Sequence, residues 1–193
     1  NRSIYPQESP TGIYPCKAEE TGDPAQGNDR WIAISVSNDE EWQILVNEMG
    51  VPDWAKDPEL DEWEGRYSQH DELDQKISEW TEGFSDYELF HRLQKAGVPA
   101  TPVLDASRVP TDAHVQAREL YSPQKLQDPI GEFPFPTPIF DFPAAEGGIR
   151  RPPVAMGQDN EYVYRELLGI TDKDWNLLEA EGHIATKFDD SLM

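Results

Sequence analysis

The chain has one cysteine, Cys16, among 193 residues, so no internal disulfide can hold it together and a reducing compartment suits it. Cys16 follows Ile13-Tyr-Pro with no basic cluster beside it to stabilise a thiolate, which makes it a structural thiol. Cations are scarce as well. Sixteen Lys and Arg face 38 Asp and Glu, a net charge of −22. DNA, RNA and anionic lipid all require a cationic surface, so nucleic acid and membrane are excluded as partners. The surplus carboxylates are read as a solvated surface that keeps the chain soluble. No apolar run approaches the roughly 20 residues of a membrane-spanning helix, and a cytoplasmic location is expected. The first residue is Asn1 and no basic-then-apolar leader follows, so the chain is expected to be a portion of a longer polypeptide.

Signatures of self-contained chemistry are also missing. There is no glycine-rich phosphate loop, no HExxH pair, no paired-cysteine metal site and no nucleophile elbow. No residue is assigned to metal, and no tightly bound cofactor is expected. His70, His91, His114 and His183 lie far apart, each on or beside a helical pattern, and are read as ordinary polar surface positions.

What is present is enough for a packed core: seven Phe, seven Tyr and six Trp supply large apolar surfaces. Residues 12–18 and 30–36 read as strands, the second rich in β-branched and aromatic residues. Residues 19–29, with Gly22, Pro24, Gly27 and Asn28, form an exposed hairpin-type loop between them. Asn38 caps a helix with Glu41 placed for a capping box; Trp42, Leu45, Val46 and Met49 form its apolar stripe and Gly50 ends it. The acidic runs 57–64 and 71–74 fall at helix starts or loops, where carboxylates suit the helix dipole. Ser68 is expected to open a second helix carrying Leu73, Ile77 and Trp80. Ser85 with Glu88 opens a third, closed by Gly97.

Between residues 98 and 153 proline punctuates the chain. Val98–Val103 is expected to be extended, residues 112–120 a short helix, and residues 133–139 an edge strand or polyproline-like segment. Beyond Gly147-Gly148, Asp159 or Asn160 caps a helix running to Gly169. Thr171 with Asp174 starts a last helix, with Trp175 and Leu178 inward, and residues 185–193 fray. The reading is an α+β fold: a small domain over residues 1–148, with a short antiparallel or mixed sheet packed on helices, and a helical C-terminal segment over residues 149–193.

Several stretches, in order, resemble family III CoA-transferases. They are Asn1-Arg2 with Pro10-Thr-Gly-Ile-Tyr-Pro-Cys16, then Trp31-Ile-Ala-Ile-Ser-Val-Ser-Asn-Asp-Glu-Glu-Trp42, then Gly97-Val-Pro-Ala-Thr-Pro-Val103, followed by Asp112 and Ala117-Arg118. Pro153-Val-Ala-Met-Gly-Gln-Asp-Asn160 with Glu166-Leu-Leu-Gly169 is similar to the family's closing motif, Met156 standing where leucine is usual and Asp159 where histidine is usual. The resemblance implies the C-terminal portion of an enzyme that moves CoA from an acyl-CoA to a carboxylic acid, with a coenzyme A thioester as substrate. It also implies that the nucleophilic aspartate and most of the CoA-binding surface belong to an upstream half. No catalytic residue is therefore assigned in this chain, which is expected to be inactive alone. Arg2 and Tyr5, in the opening loop, are the candidates for approaching substrate. The intact enzyme is expected to be a homodimer, with residues 149–193 returning to the large domain. Two alternatives stand beside this: an acyl-CoA racemase of the same fold, and a non-catalytic interaction or carbohydrate-binding module.

Overall fold

The computed structural model describes residues 5–20, 29–126, 130–140, 144 and 147–187. Two compact units divide the chain, Asn1–Val109 and Pro110–Met193.

In the first unit, β1 (Thr11–Cys16) pairs antiparallel with β2 (Arg30–Ser35), and β2 with β3 (Ala100–Pro102), giving a three-stranded sheet in the order β1-β2-β3. All three fall where extended chain is expected. Alternation sorts the strands into two faces. Tyr14, Cys16, Ile32 and Ile34 are buried on one face, while Ile13, Trp31, Ala33 and Ser35 stand on the other. The covered face lies under α1 (Asp39–Glu48), α3 (His70–Thr81) and α4 (Asp86–Ala96), whose Trp42, Leu45, Leu73, Ile77, Leu89 and Leu93 complete the core. Of the loop between β1 and β2, residues 21–28 lie outside the described residues.

Caps set the helix ends. Asn38 Oδ1 accepts from the Glu41 N–H at 2.9 Å, and Glu41 Oε2 accepts in return from the Ser37 N–H at 2.7 Å, one residue before the usual capping-box partner. Ser85 caps α4, and Gly97 ends it at φ 101°, a left-handed conformation that glycine adopts without Cβ strain. Ser68 is a correction. It closes α2 (Trp63–Ser68) with its hydroxyl turned back to the Gly65 carbonyl at 2.8 Å, and α3 begins at His70 with no side-chain cap. The capping residue type was present but already committed to a preceding helix.

That short helix carries a buried cation. Arg66 is fully buried; Nε donates to the Ser9 carbonyl at 2.7 Å, Nη1 to the carbonyls of Leu60 and Asp61 at 2.9 Å each, and Nη2 to Asp39 Oδ1 at 2.5 Å. One side chain thus ties the segment leading into β1, the turn Pro58–Leu60 and the first turn of α1.

Cys16 lies on the covered face, 7% exposed, as a structural thiol should. Burial, with the nearby Asp86 carboxylate adding, pushes its pKa from 9.0 up to about 12. Its contribution to stability is therefore fully present below pH 9 and is lost as pH rises toward about 12. Alkylation by iodoacetamide at pH 8 should run on the order of 10²–10³ times slower in the folded chain than in urea. Cys16→Ala should flatten the decline in stability above pH 9. Equal alkylation rates in the two states would show that the thiol is accessible and poised.

His70 is a second correction: it is 1% exposed rather than at the surface. Its Nδ1 lies 3.3 Å from Asp74 Oδ1, the same oxygen that accepts the Tyr14 hydroxyl at 2.9 Å. His70 falls in register with Leu73 and Ile77, so the core-facing stripe of α3 carries it inward. His91, His114 and His183 are exposed, as expected.

In the second unit, Asp112 Oδ1 caps α5 (Ala113–Ala117) through the N–H groups of His114 and Val115, at 3.0 Å each. The helix is shorter than residues 112–120 because Glu119, at φ 51°, breaks it. Then β4 (Tyr121–Lys125) pairs antiparallel with β5 (Glu132–Pro136). The edge-strand reading of residues 133–139 holds for its first four residues, and β4 was not foreseen. The expected helix is present over residues 161–167 as a π-helix (Glu161–Leu167), without a side-chain cap. Both proposed caps are engaged elsewhere: Asn160 Nδ2 donates to the Ala185 carbonyl at 3.1 Å, and Asp159 pairs with Arg151. Thr171 caps α6 (Asp172–Ala180) as expected, with Trp175 and Leu178 half-buried. Residues 188–193 of the tail lie outside the described residues. No helix among the described residues is long and apolar enough to cross a membrane.

Candidate functional site

One end of the sheet gathers three of the segments that carry the family resemblance. The Ser35 N–H donates to the Pro99 carbonyl and the Val36 N–H to the Pro10 carbonyl, both at 3.0 Å, so backbone bonds lace the starts of β1 and β3 to the end of β2. Register then sets Thr11 opposite Ser35, Ile13 opposite Ala33, and Ala33 opposite Thr101. These side chains stand on the open face because the adjacent side chains, Ile32, Ile34 and Ala100, are buried in the core.

Across them runs a groove of about 470 Å³, lined among others by Gly12, Ile13, Ala33, Ser35, Gln94 and Ala100. Ala33, whose small side chain stands on the open face, leaves room that a larger one would fill. None of its ten lining residues is charged. The Thr11 and Ser35 hydroxyls lie 3.1 Å apart and share one hydrogen bond, and Gln94 Nε2 donates to the Ala100 carbonyl at 2.9 Å. Gly12 is required there. A Cβ on it would come within 2.8 Å of the Tyr14 ring, which lies beneath the strand with its hydroxyl on Asp74. Burial raises the Tyr14 phenol far above its usual pKa, with the Asp74 charge and hydrogen bond adding, so Tyr14 stays neutral. Ile13, Trp31 and Val103 continue the apolar face, each at least 40% exposed.

The closing motif folds as a tight loop in the second unit. Arg151 grips Asp159 with two bonds, 3.0 and 2.6 Å, which hold that carboxyl below its ordinary range. Gly157, at φ 69°, lies against the Ala185 backbone, where a Cβ would collide with the carbonyl oxygen. Asp159, in the place of the usual histidine, thus serves an ion pair at the surface.

Of the two candidate site residues, Arg2 lies outside the described residues. Tyr5 is 59% exposed, its carbonyl accepts the Glu8 N–H at 3.0 Å, and it does not line the groove. Thr11, Ala33 and Ser35 lie in stretches that carry the resemblance but were not singled out as site residues, and Gln94 went unremarked. Their signal was the outward, period-two set of the two strands, read together with the Gly97–Val103 motif.

Comparison with known proteins gives this arrangement its family. A CAIB/BAIF family protein from Brucella suis shares the fold, with a TM-score of 0.65 over 84% of this chain and 39% of that one, at 22% identity. The profile of CoA-transferase family III matches residues 10–160, and the chain belongs to that family. Succinyl-CoA–D-citramalate CoA-transferase of Chloroflexus aurantiacus is 30% identical over 180 residues, 93% of this chain and 42% of that protein. Formyl-CoA:oxalate CoA-transferase of Streptomyces coelicolor is 29% identical over 145 residues, 74% of this chain and 34% of that protein. The chain therefore spans less than half the length of these relatives.

Proposed function

We propose that this chain is the small-domain portion of a CoA-transferase that moves CoA from an acyl-CoA to a carboxylic acid. The observation that carries the reading is the groove, whose lining comes from three of the segments matched to the family and from Gln94, near the C-terminal end of α4. In this reading the groove roofs the active-site cleft and helps select the acceptor. The reaction is covalent catalysis: a carboxylate attacks the thioester carbonyl, CoA leaves as thiolate and a mixed anhydride forms. The thiolate then attacks the enzyme-derived carbonyl and expels the donor's acid, leaving an enzyme thioester from which CoA passes to the acceptor. The attacking aspartate and the groups that hold CoA's phosphates belong to polypeptide outside this chain. A net charge of −22 supports that assignment, since it is a poor sole host for a polyanionic cofactor.

Residues 149–193 return to that larger domain in a cytoplasmic homodimer. Their apolar exposure supports the assignment: Leu167, Leu168 and Leu177 are 63%, 64% and 55% exposed. Arg2 and Tyr5 remain the candidates to approach substrate from the opening loop. The family match supports this reading over the interaction-module alternative.

The purified chain should show no CoA exchange between succinyl-CoA and a panel of carboxylates. The same chain joined to an N-terminal half of the family's length should show it. Turnover by the isolated chain would place the nucleophile within these residues and overturn the assignment.

A further inference from the structure

The groove also carries a statement about what it receives, resting on the reading above. An antiparallel sheet with one face on a core ordinarily presents polar side chains on the other. Here that face is apolar around a concavity of about 470 Å³, a volume typical of small-ligand sites. In a chain with 28% charged residues, none of the ten that line it is charged. A carboxylate lowered into it would lose its hydration and meet no cation, which is prohibitive for a bare charge. The polar groups at the rim are neutral and already partly engaged, so they replace only part of that hydration. Thr11 and Ser35 bond to each other, and the Gln94 amide is held by the Ala100 carbonyl. A hydrocarbon group meets no such penalty and gains by leaving water.

We infer that the groove takes the uncharged hydrocarbon part of a carboxylic acid or acyl group, its carboxyl end left outside toward the reacting centre. The complementarity is one of charge: a neutral, apolar wall in an otherwise strongly acidic chain selects a neutral, apolar occupant. The substrate class is thus an acid with an alkyl or aryl body rather than a compact diacid such as oxalate.

The test is a titration of the ¹⁵N-labelled chain, following backbone amides with hexanoate, hexan-1-ol and oxalate as probes. Hexanoate and hexan-1-ol should shift the amides of Gly12, Ile13, Ala33 and Thr101 saturably, with an affinity over oxalate on the order of tenfold or more. Ala33→Phe, which fills the groove from its solvent side, should leave the spectrum dispersed and abolish those shifts. Thr101→Phe is a second filling variant should the first disturb the strand. Saturable shifts with oxalate alone would overturn the hydrocarbon class while keeping the groove as an acceptor site. No shift with any probe on a well-dispersed spectrum would overturn the class and remove the groove from the proposed acceptor site as well.

Discussion

Replacing Arg66 by methionine should cost the first unit about 3–5 kcal/mol, because it strands the carbonyl oxygens that the guanidinium satisfies. That is a large part of the 5–15 kcal/mol that usually holds a domain together. The size follows from the arrangement around it. The guanidinium is fully buried and satisfies three carbonyls besides the Asp39 carboxylate. Methionine matches its bulk but leaves the oxygens of Ser9, Leu60 and Asp61 without donors, and a buried polar group so stranded costs about 1–3 kcal/mol. The ring of Trp42, 5.6 Å from the guanidinium, loses its cation as well. Lysine keeps the charge but not the fork, so Arg66→Lys should fall between the two. Urea unfolding followed by tryptophan fluorescence measures all three proteins. A methionine variant within about 1 kcal/mol of the parent would mean that water or rearrangement satisfies those carbonyls, and that Arg66 does not organise the region.

Arg66 also marks the limit of what could be read from the amino-acid order. The strands around Ile13 and Ile32, the helices behind Asn38 and Ser85, and the extended Gly97–Val103 segment were legible because period and cap agree there. Only six residues long and led by Glu62 without a side-chain cap, α2 offered neither signal. The long-range bonds of Arg66, to Ser9 and Asp39, cannot be inferred from spacing at all. The same holds for the groove. Its outward residues were individually unremarkable, and only the pairing of β1 and β3 to opposite sides of β2 brings them together. Tertiary engagement likewise explains the segment at residues 159–167. Asn160 and Asp159 looked like caps in one dimension, but Ala185 and Arg151 claim them in three. The family motifs were legible as a set and identified the family, but the groove emerged only from the geometry.

Gly65→Ala should destabilise the chain by about 2–4 kcal/mol, opposite in sign to what helix propensity alone predicts. Within a helix, alanine is favoured over glycine by about 1 kcal/mol, so a solvent-facing site in α2 would gain. At Gly65, however, an added Cβ would land on the Glu59 carbonyl oxygen, with the carbonyl carbon only 2.6 Å away. Backbone cannot rotate aside as a side-chain tip can, so either α2 or the turn Pro58–Leu60 must shift. That turn buries Leu60 in the core, 2% exposed, and supplies one of the carbonyls that hold Arg66. Overpacking of this kind ordinarily costs about 1–3 kcal/mol, and here the displaced bond to Arg66 adds to it. Gly147 supplies the control, because a Cβ there meets nothing within 4 Å and its φ is not positive. Gly147→Ala should therefore stay within about 0.5 kcal/mol of the parent. Should Gly65→Ala raise the urea midpoint instead, α2 does not lie against that turn. The anchorage of the β1 lead-in, and with it the rim of the groove, would then need another explanation.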